Sequence, residues 1–371
     1  MKTEKGAYTT QKVLARELNI SRTTVAQVLG GMAHRYSEET QRRVWEAAKR
    51  LNYRPHRSAQ AMRRGRSNLI GVIHFGGIYE GSRQMRYGLV QEVSERGYEV
   101  LPVESSVMMG REHRAVEQLL EARVEGVIIA SSIESFGEED IHILKSAGLP
   151  VVALSGRKDW GLPAVYEDIP GVMRQMVRHL SDLGHRDLLL LTNLYEARQT
   201  LCRIQGFEEG LAQCGGKIGA AADAGQLTGR IERAHADRGF FDMAEPAYHF
   251  MKSLIAHGGP LPDAVLCHND HWARGVYAAA HEAGLRVPDD LALTGFDNES
   301  FGAYPPFEFT TTVSPIARKV ERAVQMLMDL IHHRPLVEDQ CVFPCELVIR
   351  RSCGATLTTS PPSLYESHSS Y

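Results

Sequence analysis

In this sequence of 371 residues, the side chains able to do chemistry gather where short apolar runs end. Runs rich in Val, Ile and Leu stop at Phe75-Gly76-Gly77, Ser131-Ser132, Thr192-Asn193, His268-Asn269-Asp270 and Asp297-Asn298, and Arg203 opens a helical stretch after Leu188–Leu191. On an open α/β sheet a ligand settles just beyond the carboxyl ends of the strands, so these are the residues it would meet. A guanidinium at Arg203 and a carboxylate at Asp297, with Asn269 beside them, offer the fixed donors and acceptors that suit a polyhydroxylated molecule. The same two residues also read as a salt bridge that merely ties one lobe together. Asp297 taken alone fits a general base, although accepting ligand hydroxyls needs fewer assumptions. His268 and His271 are three apart and could share a helical face as metal ligands, but no third ligand is evident and a polar pocket or cap explains them. No GxGxxG, P-loop or GxSxG elbow follows any run, so neither a cofactor nor a covalent nucleophile is expected, and catalysis is not.

A second concentration of chemistry lies at the amino end. Residues 1–67 hold 15 basic and 5 acidic side chains, a balance of +10, whereas the remaining 304 residues hold 27 basic and 40 acidic, a balance of −13. The net charge of −3 conceals this division. A basic head on an acidic body is the electrostatic footprint of a protein that meets a polyanion, most simply nucleic acid. The plainer alternative is a basic face that meets only water.

The elements that must carry these groups follow from spacing. Thr9 to Leu18 puts Val13, Leu14 and Leu18 on one helical face, Asn19-Ile20 interrupts, and Ser21 starts a second helix as its N-cap, with Val25, Val28 and Leu29 inward. Gly30-Gly31 ends it, and a third helix runs from Ser37 past Glu38 and Glu39 to Leu51, before Asn52-Tyr53-Arg54-Pro55 closes the unit. Val13, Leu14, Val25, Val28, Val44, Ala48 and Leu51 form the expected core, which turns Arg22, Thr23, Ala26 and Gln27 outward. That is the layout of a helix-turn-helix reader; an ordinary three-helix bundle is the alternative. The following HRSAQAMRRGRS has almost no apolar face and reads as a conditional helix joining head to body.

From Asn68 onward, apolar runs (Leu69–Phe75, Val100–Val103, Gly126–Ala130, Val151–Leu154, Leu188–Leu191, Ala264–Cys267, Leu291–Phe296) alternate with helical stretches (Met85–Arg96, Glu112–Ala122, Val172–Leu183, Arg203–Gln213, Ala273–Ala283). Strands buried on both faces and separated by helices specify parallel sheets, and about 290 residues of this pattern call for two α/β lobes. The end of the chain, TLTTSPPSLYESHSSY, is Ser/Thr/Pro-rich and reads as a disordered tail. Six cysteines without a CxxC pair read as reduced thiols. No apolar run is long enough to span a membrane and the first residues lack an export signal, so a cytoplasmic, nucleoid-associated protein is expected.

Taken in order, the motifs resemble those of the lactose-repressor (LacI/GalR) family of bacterial transcription regulators, over nearly the whole chain. They are Val13-Leu14-Ala15-Arg16, Ile20-Ser21-Arg22-Thr23-Thr24-Val25, Ser37-Glu38-Glu39-Thr40, Leu51-Asn52-Tyr53-Arg54-Pro55 and Ile70-Gly71-Val72-Ile73. In the body they are Gly126-Val127-Ile128-Ile129, Leu183-Gly184-His185-Arg186, Arg203 to Phe207, Asn269-Asp270, Val287-Pro288, Gly295-Phe296-Asp297-Asn298 and Thr311-Thr312-Val313.

The resemblance implies an all-α helix-turn-helix head (1–54), a hinge helix and linker (55–67), a two-lobed α/β body like a periplasmic binding protein with parallel sheets (68–355) and a tail (356–371). It implies a regulator, in the repressor sense, that binds double-stranded DNA at a pseudo-palindromic operator as a homodimer and answers to a small, sugar-like effector. Ser21, Arg22, Thr23, Thr24 and Gln27 match the family's DNA-contacting helix, and Arg57, Met62, Arg63 and Arg64 its hinge. Gln27 and Ala26 stand where Arg and Ser are common, and Met62 where a leucine usually wedges into the minor groove; Gln pairs with adenine, and Met is apolar enough to wedge. Phe75, Asp168, Arg203, Phe241, Asn269 and Asp297 match effector-contacting positions. A solute-binding module, or an α/β enzyme with an accessory DNA-binding head, is the alternative.

Overall fold

The computed structural model describes residues 9–54, 66–75, 79–105, 112–130, 137–154, 160–194, 198–219, 226–234 and 244–356. The chain divides into two units between Asn68 and Leu69. Residues 55–65 of the expected hinge and linker (55–67), and the tail from 357, lie outside the described residues.

In the head, α1 (Gln11–Leu18), α2 (Arg22–Leu29) and α3 (Glu38–Arg50) each begin at a hydroxyl cap: Thr10 accepts from Val13 N, Ser21 from Thr24 N and Ser37 from Thr40 N. These hydroxyls satisfy backbone donors that the first turn leaves free. Asn19 turns the chain between α1 and α2 in the left-handed region (φ 53°), which Asn tolerates better than most residues. Leu14, Ala15, Val25, Val28, Val44, Ala47 and Ala48 fill the core. Val13, expected inside, is 47% exposed, because α1 turns Leu14, Ala15 and Leu18 inward instead.

The body begins with β1 (Leu69–Phe75), α4 (Glu80–Glu95), β2 (Glu99–Ser105), α5 (Glu112–Glu121), β3 (Gly126–Ala130), α6 (Glu138–Ser146), β4 (Val151–Leu154) and β5 (Ala164–Asp168). It continues with α7 (Ile169–Asp182), β6 (Asp187–Asn193), α8 (Arg198–Gln213), β7 (Lys217–Ile218), β8 (Thr228–Ala234), α9 (Glu245–Ala256), β9 (Ala264–Cys267), α10 (Asp270–Glu282) and β10 (Ala292–Thr294). It closes with β11 (Thr311–Val313), α11 (Ile316–Ile331), β12 (Gln340–Pro344) and β13 (Glu346–Val348).

One sheet runs β12-β5-β4-β3-β1-β2 and the other β10-β9-β6-β8-β7, both parallel throughout. β11 and β13 form a small antiparallel pair. β3 and β4 are apolar and buried along their length because helices cover both faces of the first sheet, α4 and α11 on one side and α5 and α6 on the other. The second sheet is covered likewise by α7 and α8 and by α9 and α10. The chain crosses between lobes three times: from β5 into α7, from β11 into α11, and from β12 into β13. At these crossings Lys319 and Glu167 form a buried ion pair, and Lys319 also reaches Ser314. Burial pulls the Lys319 ammonium below its ordinary range.

The strands β5, β7, β8, β11, β12 and β13, and the helices α6, α9 and α11, were not expected from the sequence. The run expected over Leu291–Phe296 is shorter as a strand, because Asp297 and Asn298 take positive φ (87° and 51°) and turn the chain away.

Candidate functional site

In the head, α2 leaves Arg22 and Thr23, two of the expected reading residues, open to solvent. Ser21 and Thr24 have structural duties as well: the Ser21 hydroxyl accepts from Thr24 N (2.9 Å) and lies 2.9 Å from the Thr24 hydroxyl. Gln27 is half-buried, and the Tyr36 hydroxyl donates to its Oε1. That oxygen keeps a second lone pair and the amide nitrogen keeps its N–H groups, so pairing with adenine stays open. Arg57, Met62, Arg63 and Arg64 lie outside the described residues.

In the body, the ends of β6, β9 and β10 and the start of α8 bring polar side chains together. Arg203 is 2% exposed; its Nη1 donates to Gln199 O (3.2 Å), its guanidinium lies over the Phe296 ring at 4.0 Å, and its Nη2 stands 4.0 Å from Asp297 Oδ1. At that separation the two charges attract without a hydrogen bond. Arg203 Nε is buried with no hydrogen-bond partner among the described residues. Burial lowers the Arg203 pKa and raises that of Asp297, and each charge opposes the other's shift. Asp297 holds this place in a backbone region unusual for a side chain larger than glycine.

Just before it, Gly295 is required: a Cβ there would stand 1.9 Å from Asp270 Oδ1. The wholly buried Asp270 carboxylate uses that space to accept from Glu299 N (2.7 Å) and the Thr311 hydroxyl (2.8 Å). Burial raises its pKa well above the ordinary carboxylate range.

Asn269 is buried and caps α10, its Oδ1 accepting from Trp272 N (2.9 Å) while its Nδ2 donates to the Tyr79 hydroxyl (3.3 Å). His268 is engaged at both ring nitrogens, with Thr192 Oγ1 at 2.9 Å and Asn193 Nδ2 at 3.2 Å. Burial and the nearby Arg203 hold its pKa well below the ordinary histidine value, so it is neutral. Both ring nitrogens of His268 are thus taken by Thr192 and Asn193, and no group of three His, Cys, Asp or Glu that could hold a metal ion occurs among the described residues.

The structure thus gathers Arg203, Asp297 and Asn269 at one polar corner. Asp168 serves as the N-cap of α7, accepting from Gly171 N (2.9 Å), and with Arg203 and Asp297 it is one of the charges that act on the Cys345 thiol. Phe75 closes β1, and Phe241 lies outside the described residues. Sequence reasoning missed Tyr79, Glu299 and the place of His271. Tyr79 follows a strand end as the suspected residues do, but only the fold puts it against Asn269, 190 residues away.

The periplasmic binding protein-like domain family matches residues 177–353. An uncharacterized HTH-type transcriptional regulator from the aml 5' region of Streptomyces limosus is 30% identical over 350 residues, 91% of this chain and 93% of that protein. The HTH-type transcriptional repressor PurR of Pasteurella multocida is 26% identical over 358 residues, 94% of this chain and 99% of that protein. Among solved structures, the lac repressor dimer bound to operator and the anti-inducer ONPF superposes with a TM-score of 0.78 at 24% identity, covering 94% of this chain and all of that one. The complex of the regulator CelR with cellobiose gives 0.63 at 22% identity, covering 93% of this chain and 99% of that one.

Proposed function

The chain belongs to the LacI/GalR family of transcriptional regulators, and from that premise we propose that it is a homodimeric repressor that reads a pseudo-palindromic operator with α2 and is switched by a carbohydrate-like effector held at Arg203 and Asp297. The observation that carries the effector site is the buried guanidinium facing a carboxylate at 4.0 Å, with Arg203 Nε buried and unpartnered among the described residues. A strut salt bridge would close to hydrogen-bonding distance; this pair leaves donors and acceptors for ligand hydroxyls. The cellobiose bound by the structural neighbour CelR supports the sugar class, and the operator-bound lac repressor dimer supports the DNA and the two-fold assembly.

In this reading residues 1–54 read DNA, 55–67 couple head to body, 68–355 bind effector and partner subunit, and 356–371 form a tail. Ser21, Arg22, Thr23, Thr24 and Gln27 face the operator, joined by Arg57, Met62, Arg63 and Arg64. Phe75, Asp168, Phe241 and Asn269 complete the effector site. An effector touching both lobes favours one arrangement of them, and that differential affinity is what shifts DNA binding. The relatives are regulators, which supports a body that binds its ligand without converting it; a cytoplasmic place on the nucleoid follows from the same reading. Among the described residues no helix is long and apolar enough to cross a membrane.

Two measurements test the proposal: fluorescence anisotropy with DNA from upstream of the protein's own gene, and thermal melting against a panel of mono- and disaccharides. A sugar that raises the melting temperature and changes operator affinity is expected. Operator-independent DNA binding, or a melting temperature indifferent to every sugar, overturns it.

A further inference from the structure

Tyr79 and Glu80, where the first lobe enters α4, meet the second lobe directly. The backbone N–H of Glu80, a first-turn donor of α4, donates to Oε1 of Glu299 at 2.9 Å. In return, the backbone N–H of Ser300, which opens a 3-10 turn over Ser300–Ala303, donates to Oε2 of Glu80 at 3.1 Å, and the Ser300 hydroxyl donates to the other Glu80 oxygen. Neither start has a side-chain cap from its own segment: Tyr79 and Glu299 occupy the two N-cap positions and make no cap hydrogen bond. Each lobe therefore supplies the carboxylate that satisfies the other lobe's helical start, where free donors and the helix dipole favour negative charge.

Around this exchange the groups are fixed. Asp270 accepts from Glu299 N (2.7 Å), which sets the Glu299 backbone; His271 Nε2 stands 3.7 Å from Glu299 Oε2, and Arg83 Nη2 stands 3.7 Å from Glu80 Oε1. Tyr79 reaches further, its hydroxyl accepting from Asn269 Nδ2 at 3.3 Å and its ring meeting His271 edge to face at 5.6 Å. Burial and the Asp297 carboxylate push its phenol pKa up, so it remains a neutral hydroxyl at the corner of Arg203 and Asp297.

We propose that Tyr79, Glu80, Glu299 and Ser300 form a latch that holds the two lobes together without effector, with the Tyr79 hydroxyl taking up the Asn269 amide beside Asp297. For the regulator, entry of an effector then requires these cross-lobe bonds to break, and its apparent affinity is reduced by the fraction of time the latch is shut. That consequence rests on the effector reading above; the latch itself does not.

Hydrogen–deuterium exchange of the full chain, with no sugar or DNA present, tests it. The amides of Glu80 and Ser300 are expected to be protected in the unmodified protein. Glu80→Ala should speed exchange at Ser300, and Glu299→Ala at Glu80, each about tenfold or more, since each loses a hydrogen bond to a charged acceptor. Peptides from β6 and β9 should be unchanged in both. Tyr79→Phe should loosen the Glu80 and Ser300 amides to a smaller degree. Glu299 is buried and Glu80 is the more exposed of the two, so Glu80→Ala decides alone if Glu299→Ala fails to fold. Amides that exchange at the rate of open loops in the unmodified protein, or unchanged protection at Ser300 in Glu80→Ala, overturn the latch. Because no ligand enters the experiment, its failure and that of the effector reading are told apart.

Discussion

A guanidinium shut away from water is costly to hold unless negative charge stands near it, and Asp297 provides that for Arg203 at 4.0 Å. Replacing Asp297 or Arg203 by Ala should abolish the effector response while operator binding by the unliganded protein stays within about tenfold, or 1.4 kcal/mol. Anisotropy titrations with and without sugar read both quantities; if both variants respond normally, or both unfold, the pair is a strut. His268 makes a different prediction. Its folded pKa lies well below the ordinary value, so below a pH of about 6.5 the unfolded chain takes up a proton that the fold refuses. Its contribution is therefore present in full above that pH and lost as the pH falls, at up to about 1.4 kcal/mol per pH unit. His179 shifts in the same direction, so His268→Gln should flatten the decline in urea-melt stability between pH 6.5 and 5 without removing it; a decline as steep as in the unmodified protein would mean that His268 is charged in the fold. Arg203, Asn269 and Asp297 could be singled out as candidates because each stands where an apolar run ends or a helical stretch begins, the place where an open α/β sheet meets a ligand. Tyr79 and Glu299 could not, since their partners lie 190 and 219 residues away and no local spacing encodes such pairs.

Helix α2 is short, eight residues, and depends on what bounds it. The Ser21 hydroxyl caps it at Thr24 N (2.9 Å), so Ser21→Ala should destabilise the head by about 1 kcal/mol in a thermal melt. It should also weaken binding to all DNA sequences alike, unless Ser21 reads a base. Gln27→Ala should act differently, relaxing preference at one base pair of each half-site by about 1–3 kcal/mol in competition titrations. Tyr36→Phe should do part of the same, because it removes the hydroxyl that orients the Gln27 amide; unchanged base preference in both variants would remove Gln27 from the reading set. The boundaries of α2 and α3 were readable in advance because Ser21 and Ser37 are caps and Gly30-Gly31 is a stop. The strand β8 was not, because TGRIERA carries three charged residues, two of them adjacent, and lies next to the edge strand of its sheet with only its ends buried, so it has neither an apolar run nor an alternating pattern. β12 and β13 were missed for a related reason: each is short and its pairing, with β5 and with β11, is set by chain crossings that leave no local signal.

At the scale of the molecule, the head at +10 and the body at −13 divide attraction to a polyanion from repulsion by it. One eight-residue helix can touch only a few base pairs, so a two-fold dimer should require two inverted half-sites at a fixed spacing. Inserting half a helical turn, about five base pairs, between the half-sites should abolish specific binding, whereas a full turn would be tolerated only if the segment joining head to body can stretch to follow. The same arrangement fixes the response to salt. If Arg57, Arg63, Arg64 and Arg66 of each protomer neutralise phosphates, log affinity should fall against log salt with a slope of about −7, from eight contacts at about 0.9 each. Arg64→Ala removes one contact per protomer, so the slope should become shallower by about 2 while the ranking of operator variants stays as it was. Gln27→Ala should do the converse, changing the ranking and leaving the slope alone. A slope in Arg64→Ala equal to that of the unmodified protein would mean that Arg64 does not touch the phosphate backbone, and a slope near zero in the unmodified protein would show that the basic head meets only water.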